Sequence, residues 1–385
     1  MRTVHAIMPL DLDGNDIKDW RAAMELALEE LGGPSDGLTV KGVFANASDA
    51  NGEESPERAA AAAAAAVADP TALAVVGPVS SSSTSAAAPV LNRAGMLEVL
   101  MSATSVSLTI RPDGLPGPPP DIAPTGKRNI VRIVPNDRVQ ARALVGYLQE
   151  EGIRRIEVLD DGGRFGTGLS KDILSYARTR SIPAVSHGTV NRSTAAAAAR
   201  RIAIENRDLP GRWALLLAVN DQALAVAATR AAAATSPSAV VSGPDALTFR
   251  AFLAGLGPLE RLAYLTTFQL PLEYYGPDGD RVSSILRARI DHEPAAGSLF
   301  AYEAMALAIS SIRAANAKTP LGGMALGAQR AAVTRVALAT TDRASVIGTY
   351  SVGLTGDTSN TLFGAYRVED AVLVRGRAID TAEGS

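Results

Sequence analysis

The sequence predicts an α/β fold of two lobes, each built on a parallel-rich sheet. Three observations lead there. Strand-like apolar runs alternate with helix-like runs along the whole chain, which implies parallel strands joined by right-handed helical crossovers. The 385 residues are too many for one ordinary core. The pattern also runs twice, and each half holds an apolar strand ending in Gly-Pro: VVGP at residues 75–78 and VVSGP at 240–244. Open sheets of this kind bind ligands at the carboxyl ends of their strands, so two of them imply a cleft between lobes.

In the first half, residues 4–10 form a strand. Residues 16–31 have helical spacing, with Trp20, Met24, Leu28 and Leu31 on one side. Residues 38–44 form a second strand. Ser55-Pro56-Glu57 is a helix start with a cap, a proline at the first position and an acid in the first turn. The polyalanine run 59–66 continues that helix, since alanine is the best helix former. Residues 73–77 form the third strand and 96–100 the fourth. Residues 111–126 are rich in proline and glycine, which excludes helix and central strand, and read as a surface excursion.

The pattern restarts after an extended stretch at 129–135. Residues 139–148 read as helix, 155–159 as strand, 169–179 as helix and 184–190 as strand. Ser193 is placed to cap a helix through 195–199. Strand 213–219, helix 222–234 and strand 239–242 follow, then strand 263–268. Long helical patterns cover 298–317 and 323–337. The chain closes with β-rich segments, the last turning at Asp370.

Composition narrows the function. Hydrophobic residues make up 47% of the chain and aromatics only 4%, so Ala, Val, Leu and Ile build the core. The net charge is −3 and the basic residues do not cluster, which disfavours nucleic acid and anionic membranes as partners. The absence of cysteine excludes disulfides, thiolate metal sites and a cysteine nucleophile. No apolar run approaches the roughly 20 residues of a membrane span. The first residues lead straight into a strand without a signal peptide. The protein is therefore cytoplasmic, or its export signal or anchor lies outside this sequence.

The chemistry-bearing stretch is GPVSSSSTSAAAPVLNRAG, residues 77–95. It places Ser80 to Thr84 at the carboxyl end of a strand and the start of a helix, where unpaired amides and the macrodipole attract an anion. One serine would suffice as a cap, and four exceed that need. The turn DDGGRFGTG lacks the Lys-Ser/Thr of a phosphate loop and the GxGxxG spacing of a dinucleotide site, so its glycines read as geometry. Asp11, Asp13 and Asn15 resemble the start of a calcium loop. Asp16 replaces its glycine and Ala22 its bidentate acid, so a solvated loop is expected. His5, His187 and His292 are scattered, and no GxSxG elbow is present. Neither a metal nor a cofactor is expected.

Five segments in order, GPVSSSSTSAAAPVLNRAG, MSATSVSLT, VRIVPND, RRIEVLDDGGRFGTGLS and VVSGPDAL, resemble the branched-chain amino-acid-binding proteins of ABC importers. These have the type I periplasmic-binding fold, two Rossmann-like lobes joined by a three-strand hinge. The resemblance covers nearly the whole chain. It implies that Ser81, with Ser80 beside it, and Ser102, Ala103 and Thr104 hold a ligand carboxylate. It places an aromatic contact on Phe165 and the acid for a ligand ammonium on Asp245. Where the family often has a tyrosine after a second-lobe strand, this chain has Asn220 and Asp221. Where it often has an aromatic in the first βα loop, this chain has PLDLDGND. The pocket for the ligand's side chain therefore differs, and a basic or polar ligand is compatible with the acidic loop.

The resemblance implies lobes of residues 1–133 plus 267–344 and 134–266 plus 345–385, with strands crossing the hinge near Ile133, Thr266 and Gly348. It implies reversible capture of an amino acid or small carboxylate by lobe closure, with no chemistry on the ligand. The ABC permease subunits would be the partner, and the location extracytoplasmic. A sensory domain of the same fold uncoupled from transport is the alternative. An enzyme is disfavoured, because no matched acid, base and nucleophile are present.

Overall fold

Leu73, Ala74, Val75 and Val76 have no solvent exposure at all. A run buried on both faces is what a central parallel strand requires. The computed structural model, which describes residues 1–35, 37–237 and 239–382, places such runs at the centres of two sheets.

The chain divides into two units, Met1–Pro135 with Leu272–Asn360 and Asn136–Pro271 with Thr361–Ser385. The last three residues of the second lobe's expected range lie outside the described residues. The first two passages between units fall at 135/136 and 271/272. The third falls at 360/361, so residues 345–360, expected in the second lobe, belong to the first unit.

The first unit begins with β1 (Arg2–Met8), α1 (Asp16–Leu31), β2 (Val40–Asn46), α2 (Pro56–Ala68), β3 (Ala72–Val76), α3 (Ser81–Arg93), β4 (Leu97–Leu100) and β5 (Ile130–Arg132). The sheet order is β2-β1-β3-β4-β5, with every pairing parallel. Ser55 caps α2 ahead of Pro56, accepting from the Arg58 amide at 3.4 Å. Ala59, Ala63 and Ala66 then pack with Ala87 and Leu91 of α3 and with Val75 in one core. Residues 111–126 form neither helix nor strand, yet they are more than a surface excursion. Ile122 and Ala123 are buried, and Ile122 packs with Leu100, Leu108 and Ile130.

The second unit continues with α4 (Asp137–Glu150), β6 (Ile153–Asp160), α5 (Arg164–Thr179), β7 (Ala184–Thr189), α6 (Ala195–Asn206), β8 (Arg212–Ala218), α7 (Gln222–Thr235), β9 (Val240–Gly243), α8 (Arg250–Leu256) and β10 (Ala263–Thr267). The chain then returns to the first unit with α9 (Gly276–Ile290), α10 (Ser298–Lys318), α11 (Leu326–Leu338) and the hairpin β11 (Arg343–Ser345) and β12 (Gly348–Tyr350). It ends in the second unit with β13 (Leu362–Glu369) and β14 (Val372–Asp380). Their turn holds Asp370 and Ala371 at φ 51 and 59, the left-handed pair that a tight hairpin needs. The second sheet runs β14-β13-β10-β9-β8-β6-β7, parallel from β7 through β10, with β13 and β14 added antiparallel.

Three sequence expectations are corrected. First, α5 begins at Arg164, five residues before the spacing indicates. Gly166 permits this, because a Cβ there would lie 2.4 Å from the Ala218 carbonyl oxygen. Second, Thr194 rather than Ser193 stands at the start of α6, and the Asn191 side chain accepts from both of their amides. Third, the two Gly-Pro strands are not equivalent. The parallel order β2-β1-β3-β4-β5 recurs as β7-β6-β8-β9-β10, so β3 corresponds to β8 and β9 to β4. No helix among the described residues is long and apolar enough to cross a membrane.

Candidate functional site

The order of the first sheet reverses about β1, so the carboxyl ends of β1 and β3 flank a topological switch point, the usual place for a ligand in open α/β sheets. Gly77 carries the chain off β3 at φ 89. A Cβ there would stand 2.4 Å from the Ile7 carbonyl oxygen, so glycine is required. The serine run divides its roles. Ser80 is the extended N-cap of α3, its hydroxyl accepting from the Ser83 amide at 3.2 Å. Ser81 to Ser83 form the first helical turn rather than a loop. Ser81 is buried, and its hydroxyl accepts from the Ser105 amide at 3.2 Å.

The segment after β4 lies beside this helix start. The Ser102 hydroxyl donates to the Val79 carbonyl at 2.7 Å, tying the two strand ends together. Below them is Arg132, which is fully buried. It donates to the Ser105 carbonyl and the Thr109 hydroxyl at 2.7 Å each, and to the Ala103 carbonyl at 3.4 Å. It also pairs with Asp357 at 2.7 Å. Burial works to raise the Asp357 pKa. The Arg132 charge and the Thr109 and Thr355 hydroxyls outweigh it and hold the carboxyl below its ordinary range. Residues 103–109 are thus held by a charged anchor. Among the described residues, nothing takes the amides of Ser81, Ser82, Ala103 or Thr104, nor the Thr104 hydroxyl. Thr104 as a whole is 1% exposed.

One residue at this place escaped the sequence reading. The Glu54 carboxylate accepts from the Val79 amide at 2.8 Å and the Ser80 amide at 2.7 Å. Burial pushes its pKa up, and the Ser80 and Ser83 hydroxyls and the two amides pull the other way. No local pattern marks Glu54, because its partners lie 25 and 26 residues along the chain.

In the second unit the corresponding strand ends carry Phe165, Asn220 and Asp245. Phe165 follows the carboxyl end of β6, at the start of α5. Its ring is 3% exposed and packs with Val158, Leu169, Ile173 and Ala218 in the unit's core. The early start of α5 turns it inward. Asp161 joins the ends of β6 and β8, accepting from the Gly163 amide at 3.0 Å and the Asn220 amide at 2.8 Å, and burial raises its pKa. The Asn220 side chain is part-exposed and makes no hydrogen bond among the described residues. Asp221 is structural. It caps α7 through the Leu224 amide at 2.9 Å and meets Arg192 at 2.5 Å.

Asp245 follows β9 and is 9% exposed. Its Oδ1 is buried and has no hydrogen-bond partner among the described residues. Burial pushes its pKa up to about 7, with Gln140 of α4 pulling down. The side-chain amide of Gln140 is likewise buried and without a partner among the described residues.

A family model described as "Periplasmic binding protein" matches residues 14–357. The structure of a leucine binding protein from Thermotoga maritima is similar to this chain, with a TM-score of 0.81, 17% identity and 99% of both chains covered. A branched-chain amino acid transporter substrate-binding protein from Streptococcus pneumoniae, in complex with isoleucine, matches with a TM-score of 0.77 and 15% identity over 99% of both chains. A solute binding protein of an ABC transporter from R. palustris, in complex with benzoate, matches with a TM-score of 0.75 and 15% identity, over 99% of this chain and 98% of that one. At these identities the likeness shows the fold. No curated protein matches the sequence.

Proposed function

Because this chain belongs to the family of periplasmic binding proteins, we propose that it captures an amino acid or related small carboxylate as the extracytoplasmic substrate-binding component of an ABC importer. Binding is reversible and leaves the ligand unchanged, and the transporter's permease subunits receive the loaded protein. Ser81, Ala103 and Thr104 take the ligand carboxylate through amides and the Thr104 hydroxyl, a donor set suited to an anion. Ser80 and Ser102 brace that donor set. Asp245 takes the ammonium, and Asn220 contributes a polar contact to the rest of the ligand.

The observation that carries this reading is the buried, unpartnered Oδ1 of Asp245. A carboxylate placed so is costly to fold around and becomes favourable once a cation meets it. The ammonium of an amino acid is a cation of the kind this carboxylate lacks. The solved relatives in complex with isoleucine or benzoate are consistent with a ligand of this size.

A thermal-shift screen of the standard amino acids and small monocarboxylates tests the proposal. A true ligand at a hundred times its dissociation constant should stabilise the protein by about 2.7 kcal/mol. A flat response to every member of both classes would discard it.

A further inference from the structure

We infer that Glu54 sets the ligand class of this site: its carboxylate, seated on the amides that open α3, rejects a plain monocarboxylate and admits a ligand carrying a cationic group beside its carboxylate. The inference rests on the reading of Ser81 and Thr104 as the carboxylate subsite. The amides of Val79 and Ser80 lie at the positive end of α3, where an anion is drawn. Glu54 already occupies both, so the protein supplies an anion of its own there.

A ligand carboxylate is left the remaining donors, the amides of Ser81, Ala103 and Thr104 and the Thr104 hydroxyl. Docked on them, it adjoins a side chain that is itself an anion. No basic side chain pairs with Glu54 among the described residues. Only hydroxyls and amides offset its charge, and burial raises its pKa accordingly. The repulsion between two such carboxylates therefore has to be relieved by the ligand. An α-amino acid brings an ammonium on the adjacent carbon and relieves it. Benzoate or an alkanoate does not. Glu54 thus acts by exclusion, as charge-based specificity commonly does.

Calorimetry on the full chain tests this, with the parent, Glu54→Gln and Glu54→Ala titrated with the standard amino acids, benzoate and 4-methylpentanoate. The parent should bind at least one amino acid about tenfold or more tighter than either plain carboxylate. Both variants should shrink that ratio about tenfold by gaining carboxylate affinity, Glu54→Ala the more because it frees two amides. A parent that binds a plain carboxylate as tightly as any amino acid overturns the inference while leaving solute capture standing. So does a ratio that stays within about twofold in the folded variants. A parent that binds neither class overturns the proposed function and this inference with it. If Glu54→Gln does not fold, Glu54→Ala and the parent's own ratio decide.

Discussion

Arg132 Nη2 stands 2.7 Å from Asp357 Oδ1, and the guanidinium beneath is completely buried. This pair holds the floor under the candidate carboxylate subsite. Arg132 reaches from it to the carbonyls of Ala103 and Ser105, on either side of Thr104. Asp357→Asn should leave a buried guanidinium uncompensated and cost about 3–5 kcal/mol in a urea melt. The pKa of Asp357 is depressed in the folded state, so its contribution is fully present above the unfolded value of about 3.9 and fades as pH falls toward the folded one. Melts between pH 2 and 6 should therefore show the parent losing its advantage over Asp357→Asn at the acid end. An advantage independent of pH would show that the charge contributes nothing.

Thr104→Val keeps the side chain's shape and removes its hydroxyl. If that hydroxyl meets a ligand carboxylate, affinity should fall by about 1.5–3 kcal/mol with little change in melting temperature. Calorimetry showing parent-like affinity would return Thr104 to a packing role.

Asp245→Asn should cost about 2–5 kcal/mol of amino-acid affinity by leaving the ligand's ammonium unpaired. At 1.4 kcal/mol per decade that is roughly thirtyfold to several thousandfold. The deaminated analogue should bind parent and variant alike. A variant that keeps full amino-acid affinity would remove Asp245 from the site.

The raised pKa of Asp245 has two pH consequences. Ammonium binding needs the ionised carboxyl, so affinity should be level above about pH 7 and fall up to about tenfold per unit below it. In the ligand-free protein the folded state binds the proton more tightly than the unfolded chain. The parent should then lose stability as pH rises from about 4 to 7, and Asp245→Asn should be the more stable of the two at pH 8, by at most about 4 kcal/mol. Calorimetry from pH 5 to 8 and melts of both ligand-free proteins read these outcomes. Affinity that does not change across that range would show that ligand binding is not coupled to a raised Asp245 pKa.

Much of the fold was legible because the signals are local. The spacing at Trp20 and Met24 marks α1, which spans Asp16–Leu31 as the periodicity indicates. Ser55-Pro56-Glu57 marks the start of α2, because a cap, a fixed φ and an acid at a helix start act within one turn. Asp370 marks the last hairpin, where the turn itself demands positive φ. The alternation of strands and helices implied parallel sheets by the geometry of the crossover alone.

Tertiary structure decided what no short window contains. Phe165 sits in a glycine-rich turn where the resemblance places a ligand contact, and its ring packs into the second unit's core at the start of α5. Residues 345–360 read as part of the second lobe but group with the first unit, where Asp357 pairs with Arg132 and bridges to β5. Glu54 shows the same limit at the site itself. The serine run announces an anion-binding helix start, and only folding brings a carboxylate from another loop onto two of its amides. Propensity, capping and turns act over a few residues and are written in order along the chain. Close packing and the pairing of buried charges act between residues that are distant in sequence, so they exist only once the chain has folded.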